Sequence, residues 1–210
     1  MAGDIVARSS TFWLLAVVYM LFFAAAPAPW AAVFKVLPLL SLIAWAIVAA
    51  PGRPYLILAL VLGASGDALL ALGYFIPGLI AFLLGHLVYI LLWRSAPVLI
   101  IPLSKKYVAA AIILAMVLAA VLILPSAGGL FWAIASYLLV ITLMALIAMT
   151  SRLINHWGVI GVCSFLLSDF ILAWNEFVDP ISLSMPLVMI SYYLAQYSIC
   201  RSVIDCHTRQ

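Results

Sequence analysis

Residues 55–72 read YLILALVLGASGDALLAL, eighteen positions with a single charged side chain, Asp67. As a helix this stretch is about 27 Å long at about 1.5 Å per residue, close to the roughly 30 Å hydrocarbon core of a bilayer. The stretch is representative of the whole. The chain has 210 residues, 70% apolar and 7% charged, with a mean hydropathy of +1.36. Soluble domains are about a quarter charged and under half apolar, so the composition excludes a water-soluble fold and predicts an all-α, polytopic membrane protein. Nine basic and six acidic residues, a formal charge of +3, are too few and too scattered for a nucleic-acid face, which needs a clustered basic stripe.

Working outward from Asp67, turn residues divide the chain. Pro27-Ala-Pro29, Pro51-Gly-Arg-Pro54, Pro77-Gly78, Pro97 through Pro102, Pro125 with Gly128-Gly129, and Asp179-Pro180 are breaks of the kind that end helices. Eight apolar segments lie between them in one membrane domain covering residues 1–210, at approximately 12–26, 30–49, 55–72, 76–93, 107–124, 130–149, 157–174 and 183–202. Arg8, the apolar run from Phe12 and Ala24 to Ala26 have the look of a cleavable signal peptide. The number of later spans argues instead for an uncleaved first span. Connections this short make neighbouring helices antiparallel.

Loops on the cytoplasmic side should hold the Lys and Arg residues. With eight spans, Arg8, Arg53, Arg94, Lys105, Lys106, Arg152, Arg201 and Arg209 fall on one side together with both termini, while the other side holds only Glu176 and Asp179. Both termini are therefore expected to be cytoplasmic. Short loops and the lack of sorting signals point to a bacterial inner membrane.

Charges inside a span cost several kcal/mol on insertion scales, so each one is a functional candidate. Asp67 and Asp169 sit in the third and seventh spans, Lys35 in the second and His86 in the fourth. Counting from the non-cytoplasmic ends, Lys35, Asp67 and Asp169 each lie roughly 8 Å deep. His86, Tyr192 and Tyr193 lie deeper. Two carboxylates at one level suit acid/base work, with one kept protonated as an acid and Lys35 or hydroxyls keeping the other ionised. The competing reading is a buried structural network in which Lys35 neutralises a carboxylate. Ser65 and Ser168 read either as hydrogen-bond partners of the aspartates or as small residues easing helix contact. Trp13, Trp30, Trp93, Trp132 and Trp157 fall near span ends, as an interfacial belt would.

The chain also matches itself weakly. An offset of 102 residues sets Asp67 on Asp169, Leu69-Leu70 on Ile171-Leu172, Phe75 on Phe177 and Lys35 on Tyr137, describing a candidate four-plus-four parallel repeat. Other site types fail by inventory. His86 is the lone intramembrane histidine, so a three-histidine zinc site cannot be assembled, and no nucleophile elbow, phosphate loop or dinucleotide fingerprint is present. Cys163, Cys200 and Cys206 show neither metal spacing nor an even disulfide framework. No metal and no cofactor is expected.

Gly66-Asp67-Ala-Leu-Leu, followed by Phe75, Gly78-Leu, Phe82, Gly85-His86 and Tyr89, resembles the YhhN family of integral membrane proteins, whose members include lysoplasmalogenases. Ser168-Asp169 and Tyr192-Tyr193-Leu-Ala-Gln196 resemble the second half of that pattern. Lys35 with Pro38 resembles its early lysine motif, although there Lys and Pro are adjacent. The resemblance implies hydrolysis of the vinyl ether bond of a lysoplasmalogen to a fatty aldehyde and a glycerophospho-ethanolamine or glycerophosphocholine. It implies a lysophospholipid substrate taken from the bilayer, with Asp67 and Asp169 as acid and base. Lys35 would hold the phosphate or tune a carboxylate, and His86, Tyr137, Ser168, Tyr192, Tyr193 and Gln196 would surround the substrate. A proton-coupled transporter of small molecules or lipids is the alternative from another class, since intramembrane carboxylates also serve proton relays.

Overall fold

The computed structural model describes residues 2–23, 26–98 and 100–208, with side chains from Ala7 to Phe22 in the first segment. Arg209, part of the charge pattern above, and Ala24 and Ala25 of the signal-like stretch lie outside the described residues. Among these residues there are eight α-helices and no strand: α1 (Ala2–Val18), α2 (Ala28–Ala49), α3 (Pro54–Ala71), α4 (Phe75–Arg94), α5 (Leu103–Ile123), α6 (Phe131–Met149), α7 (His156–Phe177) and α8 (Ser184–His207). A π-helical turn, Tyr19–Phe23, continues α1, and short 3-10 turns at Leu124–Ser126 and Gly128–Leu130 join α5 to α6. The helices follow the expected segments, with Pro54 in the first turn of α3 and Pro27 and Pro102 capping α2 and α5.

Among the described residues, six helical stretches are long and apolar enough to cross a membrane: α2, α3, α4, α5 through Ser126, Gly128 through the end of α6, and α7. Exposed leucines and valines such as Leu114, Leu118 and Val121 on α5 make the outer surface apolar, as lipid requires. The last helix, α8, is different. It carries Ser191, Tyr192, Tyr193, Gln196, Ser198 and Ser202 and is buried on nearly every side from Tyr192 to Ile204. A helix shielded by protein needs no apolar face, which explains how α8 stands apart from the six.

The chain divides into two compact units, one running to Tyr89 and taking in His207, the other from Ile90 to Cys206. In the first, α3 turns into α4 through Gly73. Its φ of +84°, with Tyr74 N donating to the Leu69 carbonyl at 2.8 Å and Gly73 N to that of Leu70 at 3.0 Å, is a Schellman ending. Gly66 and Gly78 then let α3 and α4 close together. A Cβ on Gly66 would lie 2.8 Å from the Phe82 ring, and one on Gly78 would lie 2.7 Å from Leu70.

In the second unit the α4–α5 and α6–α7 connections are pinned to each other. Val98 N donates to the Thr150 carbonyl and Arg152 N to that of Ala96, both at 2.8 Å. Lys105 Nζ donates to the carbonyls of Ser151 (3.3 Å) and Ile154 (3.2 Å). These two basic connections therefore share one end of the unit, as the alternation of antiparallel helices predicts. Asn155 caps α7, accepting from Trp157 N at 2.8 Å, while Asn155 N donates to Ser202 Oγ at 3.0 Å. Gly161 brings α7 against the backbone of α8, where a Cβ would lie 2.8 Å from Ile199 N and 2.9 Å from the Ala195 carbonyl.

One expectation needs correction. Trp93 is fully buried, so it is a core residue and not part of an interfacial belt, which Trp30 and Trp132 fit by their exposure. Trp157 carries the Arg201 guanidinium 4.5 Å from its ring centroid, a cation–π contact. The three cysteines are free thiols, with Cys163 exposed and Cys200 buried.

Candidate functional site

Each unit contains an aspartate held by a polar partner. In the first, Lys35 Nζ on α2 and Asp67 Oδ1 on α3 are 3.4 Å apart, the aspartate 1% and the lysine 9% exposed. The depths counted from sequence anticipated this meeting, since α2 enters where α3 leaves. Pro38, one turn beyond Lys35 inside α2, has no N–H to offer the Phe34 carbonyl, so the helix ladder is already interrupted beside the lysine. Gly66 precedes the aspartate, and its missing Cβ lets Phe82 cover the site from α4.

The sequence did not reveal a third member, Tyr19. It is 1% exposed, begins the π-helical turn after α1, and its hydroxyl is within electrostatic range of Asp67. π-helical turns re-aim side chains and are frequent at functional sites. An isolated tyrosine in an apolar run carries no sequence signal for such a turn. His86 is buried on α4, eleven residues from that helix's start where Asp67 is four from the end of its own, a difference of about two turns. Its neighbour Gly85 faces Leu62 and the Ala59 carbonyl on α3.

In the second unit, Tyr137 Oη on α6 donates to Asp169 Oδ2 on α7 at 2.8 Å. Both residues are half-buried. A hydrogen bond to a carboxylate is among the stronger neutral-donor contacts. Tyr192 and Tyr193 on α8 are buried, and Tyr192 packs edge-on against Phe165, ring centroids 5.6 Å apart. Phe165 lies one turn before Asp169 on α7, so residues four apart share that face. Gln196, one turn after Tyr192, is 1% exposed. Ser168 Oγ donates to the Val188 carbonyl of α8 at 3.1 Å, and Ser65 Oγ to the Val61 carbonyl at 2.9 Å. Of the two readings given to these serines, Ser168 follows the one of easing helix contact, and its hydroxyl is not on the carboxylate.

The two pairs share a spacing. Lys35 precedes Asp67 by 32 positions, and Tyr137 precedes Asp169 by 32. In each unit the partner comes from the second helix and the aspartate from the third. One carboxylate faces an ammonium and the other a phenol, so equivalent positions offer different chemistry.

Apolar helices long enough to cross a bilayer, exposed leucines on their outer faces, and carboxylates set among them define a polytopic helical membrane protein with polar centres inside its spans. Comparison with known proteins narrows this class. The YhhN family profile matches residues 30–203, and the chain belongs to that family. It is 33% identical to the lysoplasmalogenase TMEM86B of Sus scrofa over 93% of this chain and 85% of the relative. It is 32% identical to the lysoplasmalogenase TMEM86B of Homo sapiens, covering 83% and 75%. It is also 30% identical to the lysoplasmalogenase TMEM86A of Homo sapiens, covering 76% and 69%. No solved structure matches the chain.

Proposed function

We propose that this protein is a lysoplasmalogenase that hydrolyses the vinyl ether bond of a lysophospholipid, with Asp67 and Asp169 supplying the acid/base chemistry. The observation that carries the reading is the identity of 30–33%, over most of the chain, to relatives bearing that name. The side chains fit the reaction. A vinyl ether is cleaved by proton transfer to the alkene carbon distal to oxygen, which leaves an oxocarbenium ion. Water adds to the cationic carbon and loses a proton, and the resulting hemiacetal collapses to an aldehyde and a free glycerol hydroxyl. An acid must give the first proton, and a carboxylate must stabilise the cation and take a proton from water.

The partners suggest how the roles divide. Asp67, in an ion pair with Lys35, is the group held as a carboxylate and suited to the cation and the water. Asp169 pairs with the Tyr137 phenol where Asp67 pairs with an ammonium, so its partner carries no positive charge to oppose protonation, and it is assigned the transferable proton, with Tyr137 fixing its orientation. His86 in the first unit, and Ser168, Tyr192, Tyr193 and Gln196 in the second, are the further polar and aromatic residues assigned to substrate contact. α3 and α7, which carry Asp67 and Asp169, run unbroken through those residues, and α2 stays helical past the missing hydrogen bond at Pro38. Transporter sites commonly use discontinuous helices, so this continuity favours a fixed pocket over proton-coupled transport.

The test is aldehyde release by purified protein from a lysoplasmalogen and from its saturated alkyl-ether analogue. Release is expected from the vinyl ether alone, with Asp67→Asn and Asp169→Asn each slower by about a hundredfold or more, the usual contribution of a positioned acid or base. Wild-type rates in both variants would sink the assignment.

A further inference from the structure

The geometry points to a groove between α5 and α7 as the seat of the substrate's single aliphatic chain. Its α5 wall is built on Ala111, Ala115 and Ala119, spaced four apart and so stacked on one helix face, and its α7 wall on Leu166, Leu167 and Phe170. The groove holds about 560 Å³, within the roughly 300–1,000 Å³ of small-molecule sites. Three alanines in register leave the slot open where larger side chains at those positions would fill it.

Two dimensions select the occupant. The lined part of α5 runs from Val108 to Leu122, about 21 Å at about 1.5 Å per residue. One leaflet's share of the hydrocarbon core is about 15 Å, so a lipid chain fits lengthwise. A polar group also lies beside the groove. α5 and α7 are each joined to α6 by a short connection and run parallel, with Lys105 tying the start of α5 to the start of α7. Asp169 lies thirteen residues into α7 and is level with about Met116 on α5, next to Phe170 of the groove wall. An apolar slot that passes a hydrogen-bonded carboxylate suits a molecule with one hydrocarbon chain and a reactive bond at its head. The lining itself offers no charge and only the Cys163 thiol as a polar group, so it recognises hydrocarbon.

This assignment rests on the lysoplasmalogenase reading for the identity of the ligand, and the experiment separates the two. Purified protein is photolysed with a 1-O-alkyl lysophosphatidylcholine carrying a diazirine at the end of its chain, and the adducts are mapped by peptide mass spectrometry. Adducts are expected on Val108–Leu122 and Cys163–Phe170, competed by unlabelled 1-O-alkyl lysophosphatidylcholine and not by an equal concentration of diacyl phosphatidylcholine. Ala115→Phe should lower their yield about tenfold, the affinity carried by two methylenes. Should that variant not fold, the wild-type map and its competition decide alone. Adducts spread evenly over the outer faces of α2 and α3, or displaced equally by diacyl lipid, would make the groove ordinary lipid-facing surface and overturn the proposal. Groove adducts in a protein that releases no aldehyde from a vinyl ether would leave the groove standing and remove the hydrolase reading. Aldehyde release with adducts elsewhere does the reverse.

Discussion

An ammonium and a carboxylate 3.4 Å apart inside a bilayer-spanning bundle are costly to assemble, because both leave water and their attraction repays the loss only with good geometry. Such a pair can be a structural plug or a working group, and stability measurements separate the cases. Removing one partner leaves a buried charge and costs about 3–5 kcal/mol, so Lys35→Met alone should unfold at markedly lower temperature. The double variant Lys35→Met with Asp67→Leu replaces the pair by hydrocarbon and should recover most of that stability. A catalytic Asp67 predicts that the stable double variant still releases no aldehyde. Recovery of activity along with stability would reduce the pair to scaffolding. At this scale the sequence was informative where a charge interrupted an apolar run, as at Lys35, Asp67 and Asp169. Tyr137 was set opposite Lys35 by the 102-residue offset and named by the resemblance, and it hydrogen-bonds Asp169. Tyr19 was silent, because a π-helical turn depends on how α1 packs and leaves no local pattern.

Elements were the most legible level. Proline and glycine ended helices where backbone chemistry requires, and the interior spans read from the sequence agree with the helices to within a few residues. What a span faces was harder to read. Trp93 looked interfacial by position and is core by packing, because belt and core positions differ by rotation about the helix and not by sequence distance. Close approach of helices was equally hidden, since a glycine that admits a neighbouring backbone looks like one in a loop. Gly161 is the sharpest instance. Its absent Cβ would meet backbone atoms of α8 at 2.8 and 2.9 Å, and backbone cannot rotate away as a side chain can. Gly161→Ala should therefore destabilise by about 1–3 kcal/mol, the range of core overpacking. Gly129→Ala, with nothing within 4 Å of the added methyl, should leave the melting temperature within a degree or two. Equal melting temperatures for the two variants would contradict the α7–α8 contact described above.

For the whole molecule, the distribution of Lys and Arg argues for eight crossings with both termini on the cytoplasmic side. Within the second unit, the pinning of residues 96–98 to residues 150–152 places two of the basic connections at one end, as that topology needs. Single cysteines in a background lacking Cys163, Cys200 and Cys206 test it with a membrane-impermeant maleimide. Ser104→Cys should be labelled only from the cytoplasmic side and Asp179→Cys only from the opposite side. Labelling of both from the same side would rule out the eight-span arrangement. Composition settled the solvent in which the molecule folds, because no soluble chain carries so few charges. It could not reveal the chemistry, since apolar helices are common to many membrane functions and only the intramembrane polar groups distinguish them.

The character of α8 bears on how the protein is made. A ribosome delivers the chain from its N-terminus, and each segment is offered to the bilayer as it emerges. α2 to α7 are apolar enough to partition on their own. By contrast, α8, with its serines, tyrosines and Gln196, gains little from lipid and much from helices already in place. Its position after α5, α6 and α7 supplies that condition, because they have been synthesised by the time it appears. The same helix moved to the start of the polypeptide would meet bare lipid, and biogenesis would stall at the first step.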